Sequence, residues 1–367
     1  MQNIYIFENT DSLHIEESLV TLLKVFKQNY NVSICLNSKA STRVYKNTEI
    51  MDRSIVLDTF SGLIAFLRSL KKDDIVIYPT ISVRNVVLLY VLSFFISKNI
   101  YYIRNFNSWM TYCTHATNIS SQVLSYIATF LKKRLLASAH QIFVANSNIK
   151  NYLIKNNVSK PINIVPYKFF EKDIVSTAAH NGVFEFVVPG GIDIVKKNLA
   201  LIRKAVSLLT DREVKQIKIT LLGKPSGEKD LDFCRKWKGE IGGSLEFYTK
   251  FIPDAEFSDV MRRCHFVLGI LNINYQDKYH RETYGVSKDT GVDAQSIAYG
   301  KPLIINSEFN VIEEIKSSSL GYNDEDELAS ILKSIISDMN YSSLSSKAKF
   351  NCSKLSLESV IEKLDSI

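Results

Sequence analysis

Cysteine is scarce in this chain and scattered. Five residues (Cys35, Cys113, Cys234, Cys264 and Cys352) are spread over 367 positions, an odd number with no CxxC pair among them. That pattern excludes a disulfide framework and a zinc knuckle. No secretory leader is expected either: a strand is expected almost from Met1, and Glu8 and Asp11 follow where a leader needs a basic start and a longer apolar run. The chain therefore reads as cytosolic. Long apolar runs are absent. The charge-free window Asn85–Ser97 is 13 residues long, short of the ~20 that a bilayer needs, and a buried helix is expected there. Neither half carries GxGxxG after its first strand, and GxxxxGK[ST], HExxH and GxSxG are all missing. No repeat of 20–50 residues is visible.

What is present is an ordinary globular composition, 46% hydrophobic and 23% charged, which excludes a disordered or collagenous chain. The length suits two to three domains of about 150 residues. Charge is uneven. Residues 1–170 hold 19 Lys and Arg against 9 Asp and Glu, a net of +10, and residues 171–367 hold 26 against 29, a net of −3. A basic front half without a nucleic-acid motif points to a membrane surface or a phosphate-bearing substrate. Lys132, Lys133 and Arg134, among Leu131, Leu135 and Leu136, form either a lipid-docking patch or a solvated helix face.

Strand-like runs at 3–7, 32–36, 75–78, 100–103, 141–145 and 162–165 alternate with helical stretches, among them 15–26, 63–70 and 84–96. The second half repeats the pattern, with strands at 184–188, 217–222, 245–247, 266–270 and 303–305 and helices at 199–209 and 292–299. Such alternation indicates parallel βαβ units. The polar stretch 168–182 fits a linker. Two Rossmann-like domains with a cleft between them are expected.

Two segments of the second half have the makings of an anion site. In VVPGGIDIVKKNLALIRKA, residues 187–205, a strand ends at Pro189, Gly190 and Gly191 permit close backbone approach, and Lys196 and Lys197 precede a helix. The alternative is a glycine turn followed by solvated lysines. In ETYGVSKDTGVDAQSIAYGKPLII, residues 282–305, a loop with Gly285, Lys288, Thr290 and Gly291 enters a helix that closes at Gly300–Lys301–Pro302. The helix N-terminus offers unpaired N–H groups to a phosphate. Two DxD triplets, 230–232 and 324–326, follow polar segments and read as surface acids.

Together these segments resemble the C-terminal domain of GT-B glycosyltransferases, above all the retaining family 4. Lys196, Lys197 and Asn198 match that family's basic phosphate-binding stretch. Gly300–Lys301–Pro302 matches the end of its E-x7-E segment, and Glu282–Thr283–Tyr284–Gly285 is similar to the beginning. Counting back from Pro302 puts Gln295 and Ser287 where the two glutamates stand; counting forward from Glu282 keeps one and needs about five extra residues. Arg, frequent in the family after the first glycine, is replaced by Gly191.

The resemblance implies an α/β GT-B fold, two Rossmann-like domains with parallel sheets facing an interdomain cleft. Residues 1–170 would be an acceptor-binding domain, 183–350 a nucleotide-sugar-binding domain, and 351–367 a helix packing back on the first. It implies a metal-independent hexosyltransferase without a cofactor, moving a sugar from a nucleotide diphosphate sugar to a glycan hydroxyl. Gly190, Gly191, Lys196, Lys197, Lys288, Thr290, Gly291 and Asp293 would bind the donor, and Glu282 would orient its sugar. Arg104, Asn105 and Asn107 would face the acceptor; Trp109 would pack under their loop or stack on a sugar. Glu8, Asp11, His14 and His115 are candidates for a general base, and His280 is a second residue that could reach the donor. The expected setting is bacterial surface polysaccharide assembly (O-antigen, lipopolysaccharide or capsule) on a lipid-diphosphate carrier, cytoplasmic or peripheral on the inner membrane face, with no nucleic acid. The rival readings are a GT-B sugar-nucleotide 2-epimerase, a non-catalytic GT-B-like binding protein and a two-lobed solute-binding protein.

Overall fold

The apolar runs become strands, and the amphipathic stretches between them become helices. The computed structural model describes residues 1–10, 15–112, 118–172, 182–276, 280–337 and 340–364. They form two compact units. One comprises Met1–Tyr167, Gln276–Asp289 and Val360–Ile367, the other Lys168–Tyr275 and Thr290–Ser359. The segment Gln276–Asp289, expected in the second domain, thus belongs to the first unit.

The first unit is built on seven strands: β1 (Asn3–Glu8), β2 (Asn31–Leu36), β3 (Ser54–Val56), β4 (Ile75–Tyr78), β5 (Lys98–Ile103), β6 (Gln141–Val144) and β7 (Ile162–Ile164). Their order is β3-β2-β1-β4-β5-β6-β7, and every pairing is parallel, with Ile4 beside both Val32 and Ile75. A parallel sheet has helices on both faces, so its central strands must be apolar throughout. All four residues of β4 are buried accordingly. Tyr78 stacks on Tyr101 at 5.3 Å between ring centroids, and Trp109 packs on Tyr101 at 6.0 Å.

The second unit repeats the design with β8 (Phe184–Pro189), β9 (Ile217–Leu222), β10 (Leu245–Phe247) and β11 (Phe266–Gly269). A separate two-stranded ribbon, β12 (Asn274–Gln276) and β13 (Arg281–Thr283), precedes the last two strands, β14 (Leu303–Asn306) and β15 (Ser319–Tyr322). The sheet order is β10-β9-β8-β11-β14-β15, again all parallel. Phe186 stacks on Phe266 at 5.3 Å across the sheet, and Trp237 is fully buried beside them. Burying a phenylalanine of this kind contributes about 1.5–3 kcal/mol.

The ribbon strands β12 and β13 escaped the sequence reading, and so did two strands of the main sheets, β3 and β15. Both are short outer strands with partly exposed residues, so neither shows an apolar run. The charge-free window also differs from expectation. Its helix, Val86–Ser93, buries Val86, Leu89 and Leu92 but leaves Val87 and Val91 exposed, followed by exposed Phe94 and Phe95. Gly300–Lys301–Pro302 has a structural explanation. Gly300 ends its helix at φ +58°, and a Cβ there would lie 2.7 Å from Phe170. Lys301 is buried, and its Nζ donates to the carbonyls of Arg262 and Cys264 at 2.6 Å, closing the end of the Asp254–Arg263 helix. Burial lowers its pKa to about 8.

Candidate functional site

Parallel sheets of this kind gather their functional residues in the loops beyond the carboxyl ends of the strands. In the first unit that edge carries Glu8 at the end of β1, Arg104–Ser108 after β5 and Tyr167 after β7. The structure joins them to residues 281–289, which lie across the loop after β5 as a strap. Phe106 N–H donates to the Ser287 carbonyl at 2.9 Å, and Asn105 and Lys288 form an antiparallel bridge. Gly285, at φ +76°, permits the turn that lets Gly285 N–H meet the Lys288 carbonyl at 2.8 Å.

Glu282 is the strap's anchor. Its carboxylate accepts from Ser108 N–H at 3.0 Å, from Asn107 N–H at 3.4 Å and from the Ser287 hydroxyl at 2.6 Å. Only 2% of the residue is exposed. Burial pushes its pKa up to about 7, against the pull of these hydrogen bonds and of Lys288. Both oxygens expected to receive sugar hydroxyls are therefore occupied by the chain itself. Asn107 is occupied similarly: its amide donates to the Arg281 carbonyl at 2.9 Å and to Ser287 Oγ at 3.2 Å, and accepts from the Tyr152 hydroxyl at 3.1 Å.

Arg104 lies beside this anchor in a polar cluster. Its guanidinium is 4.8 Å from the Tyr167 ring centroid and 5.9 Å from that of Tyr102, and its Nη2 donates to Ser18 Oγ. Tyr102 and Tyr167 are themselves stacked at 5.4 Å. The Asp289 carboxyl faces Arg104 and Tyr167, and burial raises its pKa to about 6. Burial also raises Glu8, which accepts from Thr10 N–H at 2.9 Å and Thr10 Oγ1 at 2.6 Å. Arg104 Nε, Tyr167 Oη, Asp289 Oδ2 and Glu8 Oε2 are buried without completing a hydrogen bond of normal geometry. Such groups call for a polar partner. Asp289, Tyr102 and Tyr167 were missed by sequence reading, because nothing local to them signals proximity to Arg104. Asp11, His14 and His115 lie outside the described residues. Trp109 is 1% exposed and packs in the core under the loop.

In the second unit the expected anion site lies at the carboxyl end of β8. Gly190 turns at φ +85°, and its N–H donates to the Leu222 carbonyl at 3.0 Å. The loop after β9 presses against this turn: a Cβ on Gly223 would lie 2.3 Å from the Gly190 oxygen. Lys197 sits beneath the turn, donating to the Pro189 carbonyl at 2.7 Å and the Gly190 carbonyl at 2.8 Å. Burial lowers its pKa to about 8. Lys196 is exposed and pairs with Asp193 at 3.3 Å. Asp230, read from sequence as a surface acid, is instead buried and accepts from Ile194 N–H at 3.0 Å, so it fixes the far side of this loop. The reason is that its helix, Glu228–Ile241, turns this face inward with Cys234 and Trp237. Asp232 and Asp324 serve surface contacts, with Arg235 and with Glu327 N–H.

Thr290 caps the Gly291–Tyr299 helix, its Oγ1 accepting from Val292 N–H at 3.2 Å, and Asp293 accepts from Ala294 N–H at 2.9 Å. This helix packs on β8 and β11. The structure thus brings Gly190, Gly191, Lys196 and Lys197 into one loop and Thr290, Gly291 and Asp293 onto one helix end of the same unit. Lys288 stands with the other unit, its ammonium 6.0 Å from the Tyr284 ring. His265 Nδ1 accepts from Glu185 N–H at 3.0 Å and is a core residue; His280, the residue before the strap, is buried. Among the described residues, no three His, Cys, Asp or Glu stand where they could hold a metal ion, and no helix is long and apolar enough to cross a membrane.

No protein-family model matches this chain, and a search of curated proteins finds no match. Solved structures do match. The chain is similar to Anabaena HepE in complex with UDP, at 13% identity and a TM-score of 0.67 over 99% of this chain and 98% of that one. It is similar also to an E. coli trehalose-6-phosphate protein bound with UDP-2-fluoro glucose, at 11% identity and 0.62 over 98% and 97%. A third is the α,α-trehalose 6-phosphate synthase of Burkholderia multivorans, at 10% identity and 0.59 over 98% and 96%. With two parallel sheets of seven and six strands and this likeness over the whole chain, the protein has the GT-B fold of these structures.

Proposed function

We propose that the protein is a glycosyltransferase that moves a sugar from a nucleotide diphosphate sugar to a hydroxyl of a glycan. The observation that carries this reading is the end-to-end likeness to structures solved with UDP and a UDP-sugar. The second unit would take the donor. Its glycine turn, the Lys197 ammonium beneath, Lys196 and the N-terminus of the Gly291–Tyr299 helix, with Thr290 and Asp293, would receive the diphosphate. Positive charge placed where the leaving phosphate develops its charge is the largest available catalytic term, and the reading calls for no metal ion. The first unit would take the acceptor near Arg104 and Asn105. Glu282 acts here as a positioning residue: it fixes the loop that carries them. Surface polysaccharide assembly, on a lipid-diphosphate carrier at the inner membrane face, is the setting this reading favours, supported by the basic first unit.

A thermal-shift panel with UDP, GDP, CMP, NAD and free sugars tests the donor assignment. A ligand at about 100 times its Kd contributes ~2.7 kcal/mol, several degrees of midpoint. One nucleoside diphosphate alone should give that shift. Lys196→Ala with Lys197→Ala should weaken UDP more than uridine (or GDP more than guanosine); equal losses would remove the phosphate assignment. A second reading, a GT-B-like binding protein without turnover, draws on Glu282 being occupied by the chain and on Gln295 and Ser287 in the glutamate positions. It predicts nucleotide binding with no sugar transferred to any acceptor.

A further inference from the structure

The helix Ile119–Ser138 is amphipathic in the inverted sense. Over residues 119–132 its buried side is small and polar, with Ser121, Ser125, Ala128, Thr129 and Lys132 facing inward; only in its last turns do Leu135 and Leu136 enter the apolar core. That polarity has a local cause, because Lys132 Nζ donates to the Ser108 carbonyl at 3.3 Å and Thr129 Oγ1 to the Thr111 carbonyl at 3.3 Å, holding the loop after β5. The outward side is large and apolar: Ile119, Val123, Leu124, Tyr126, Ile127 and Phe130 are all exposed, Ile119 by 79%. The neighbouring helix Val86–Ser93, which packs on it, adds Val87 and Val91, and Phe94 and Phe95 follow, 69% and 64% exposed. Scattered surface apolar residues need no explanation, but eight on two packed helices and two more just beyond one of them do.

Charge says what covers them. Between Ile75 and Phe170 the sequence has ten Lys and Arg and no Asp or Glu. The outward stripe at 119, 123, 126, 127 and 130 runs into Arg134, whose guanidinium lies 5.3 Å from the Phe130 ring. Lys133 lies 4.5 Å from the Tyr112 ring, which stacks on Tyr126 at 4.3 Å. An apolar face edged by tyrosine and cations, with no acid, is the composition that lies in a bilayer interface. A symmetric second copy would set like charges against each other. We infer that this two-helix face of the first unit docks on an anionic lipid surface, lying on the membrane and not crossing it. The inference rests on exposure and charge in the first unit and is independent of the donor assignment.

Co-sedimentation of the full chain with phosphatidylcholine vesicles, with and without phosphatidylglycerol, tests it. The protein should pellet with the anionic vesicles and be released by salt. Phe94→Ser with Phe95→Ser, and Ile127→Ser with Phe130→Ser, should each lower vesicle affinity at least roughly tenfold. Lys133→Gln with Arg134→Gln should cost roughly tenfold or more, and only with the anionic vesicles. The substituted side chains are exposed or at the surface, so thermal midpoints should stay near the parent value, which shows that a loss is not unfolding. A parent chain that stays in the supernatant overturns the inference. So does binding that none of the three pairs reduces, or binding equal on neutral vesicles. A dimer by light scattering that the apolar pairs dissolve, without vesicle binding, makes a second copy the occupant and overturns it too. Silence in the nucleotide panel with vesicle binding retained would remove the transferase reading and leave this inference standing.

Discussion

The carboxyl edges of the two sheets solve one problem, holding loops in place, by opposite means. In the second unit the edge is built from backbone. Gly190 and Gly223 let two turns meet at a distance no side chain allows, Lys197 ties the loop down from 8 residues beyond Pro189, and Asp230 holds it from 36 residues beyond Ile194. In the first unit it is built from charge, with a strap about 175 residues away in sequence held through Glu282 and a carboxyl at Asp289 facing Arg104. Backbone contact does not titrate, and the Lys197 ammonium that ties it, lowered by burial to about 8, titrates above Glu282 and Asp289. Buried carboxylates are costly to desolvate and respond to pH. Below the Lys197 value the second unit's edge is therefore a fixed cradle, and the first unit's edge is the one whose stability should vary with pH.

The hardest test of the backbone edge is Gly223→Ala. Its Cβ would lie within 2.3–2.5 Å of Gly190 backbone atoms, which have no rotamer to give way. A loss of about 3 kcal/mol is expected in denaturant unfolding. A cost under ~1 kcal/mol would mean that the two turns are not held this closely.

On the charged edge, Glu282→Ala should cost about 2–3 kcal/mol, because Ser108 N–H and the Ser287 hydroxyl lose a buried acceptor. Glu282→Gln keeps an oxygen for one of these contacts and should cost less. Equal unfolding midpoints for Glu282→Ala and the parent would detach the strap from this contact.

The pH response has a definite sign. Glu282 has a raised folded pKa, about 7 against 4.5 for the free group. Such a group contributes stability that is fully present below the unfolded value and is lost as pH rises through the folded one. Asp289, raised to about 6, adds in the same direction. The stability of Glu282→Gln relative to the parent should therefore rise between pH 5 and pH 8, by on the order of 2 kcal/mol. A flat difference across that window would show that the carboxylate is not desolvated as placed.

The smallest effect is a control for glycine itself. Gly239 lies exposed in the Glu228–Ile241 helix with nothing within 4 Å of a Cβ. Gly239→Ala should stabilise the second unit by about 0.5–1 kcal/mol. A loss there would undermine the contrast with Gly223.

These contrasts also explain what could be read in advance. The strands β1, β4, β8, β9 and β11 stood out because a parallel strand covered on both faces must be apolar along its length. β3 and β15, outermost and half-exposed, had no such signal. In the second unit, the turn at Gly190 and Gly191 and the helix start at Thr290 and Gly291 were legible because the chemistry of a turn or a helix start is local. Asp230 was misjudged, since its triplet gave no sign of which helix face turns inward. In the first unit, Arg104 and Asn107 were named, but their partners were not.

The alternation of apolar and amphipathic segments determined by itself two parallel α/β sheets, and the glycine and lysine spacing determined the turn beyond β8. Those features depend on backbone geometry and burial within a few residues. Tertiary structure alone decided that residues 276–289 join the first unit, that Glu282 and Asn107 grip each other's loops, and that Phe94, Phe95 and Phe130 face outward. These depend on distant segments meeting and on which helix face meets the sheet, and a single chain's local pattern carries no record of either.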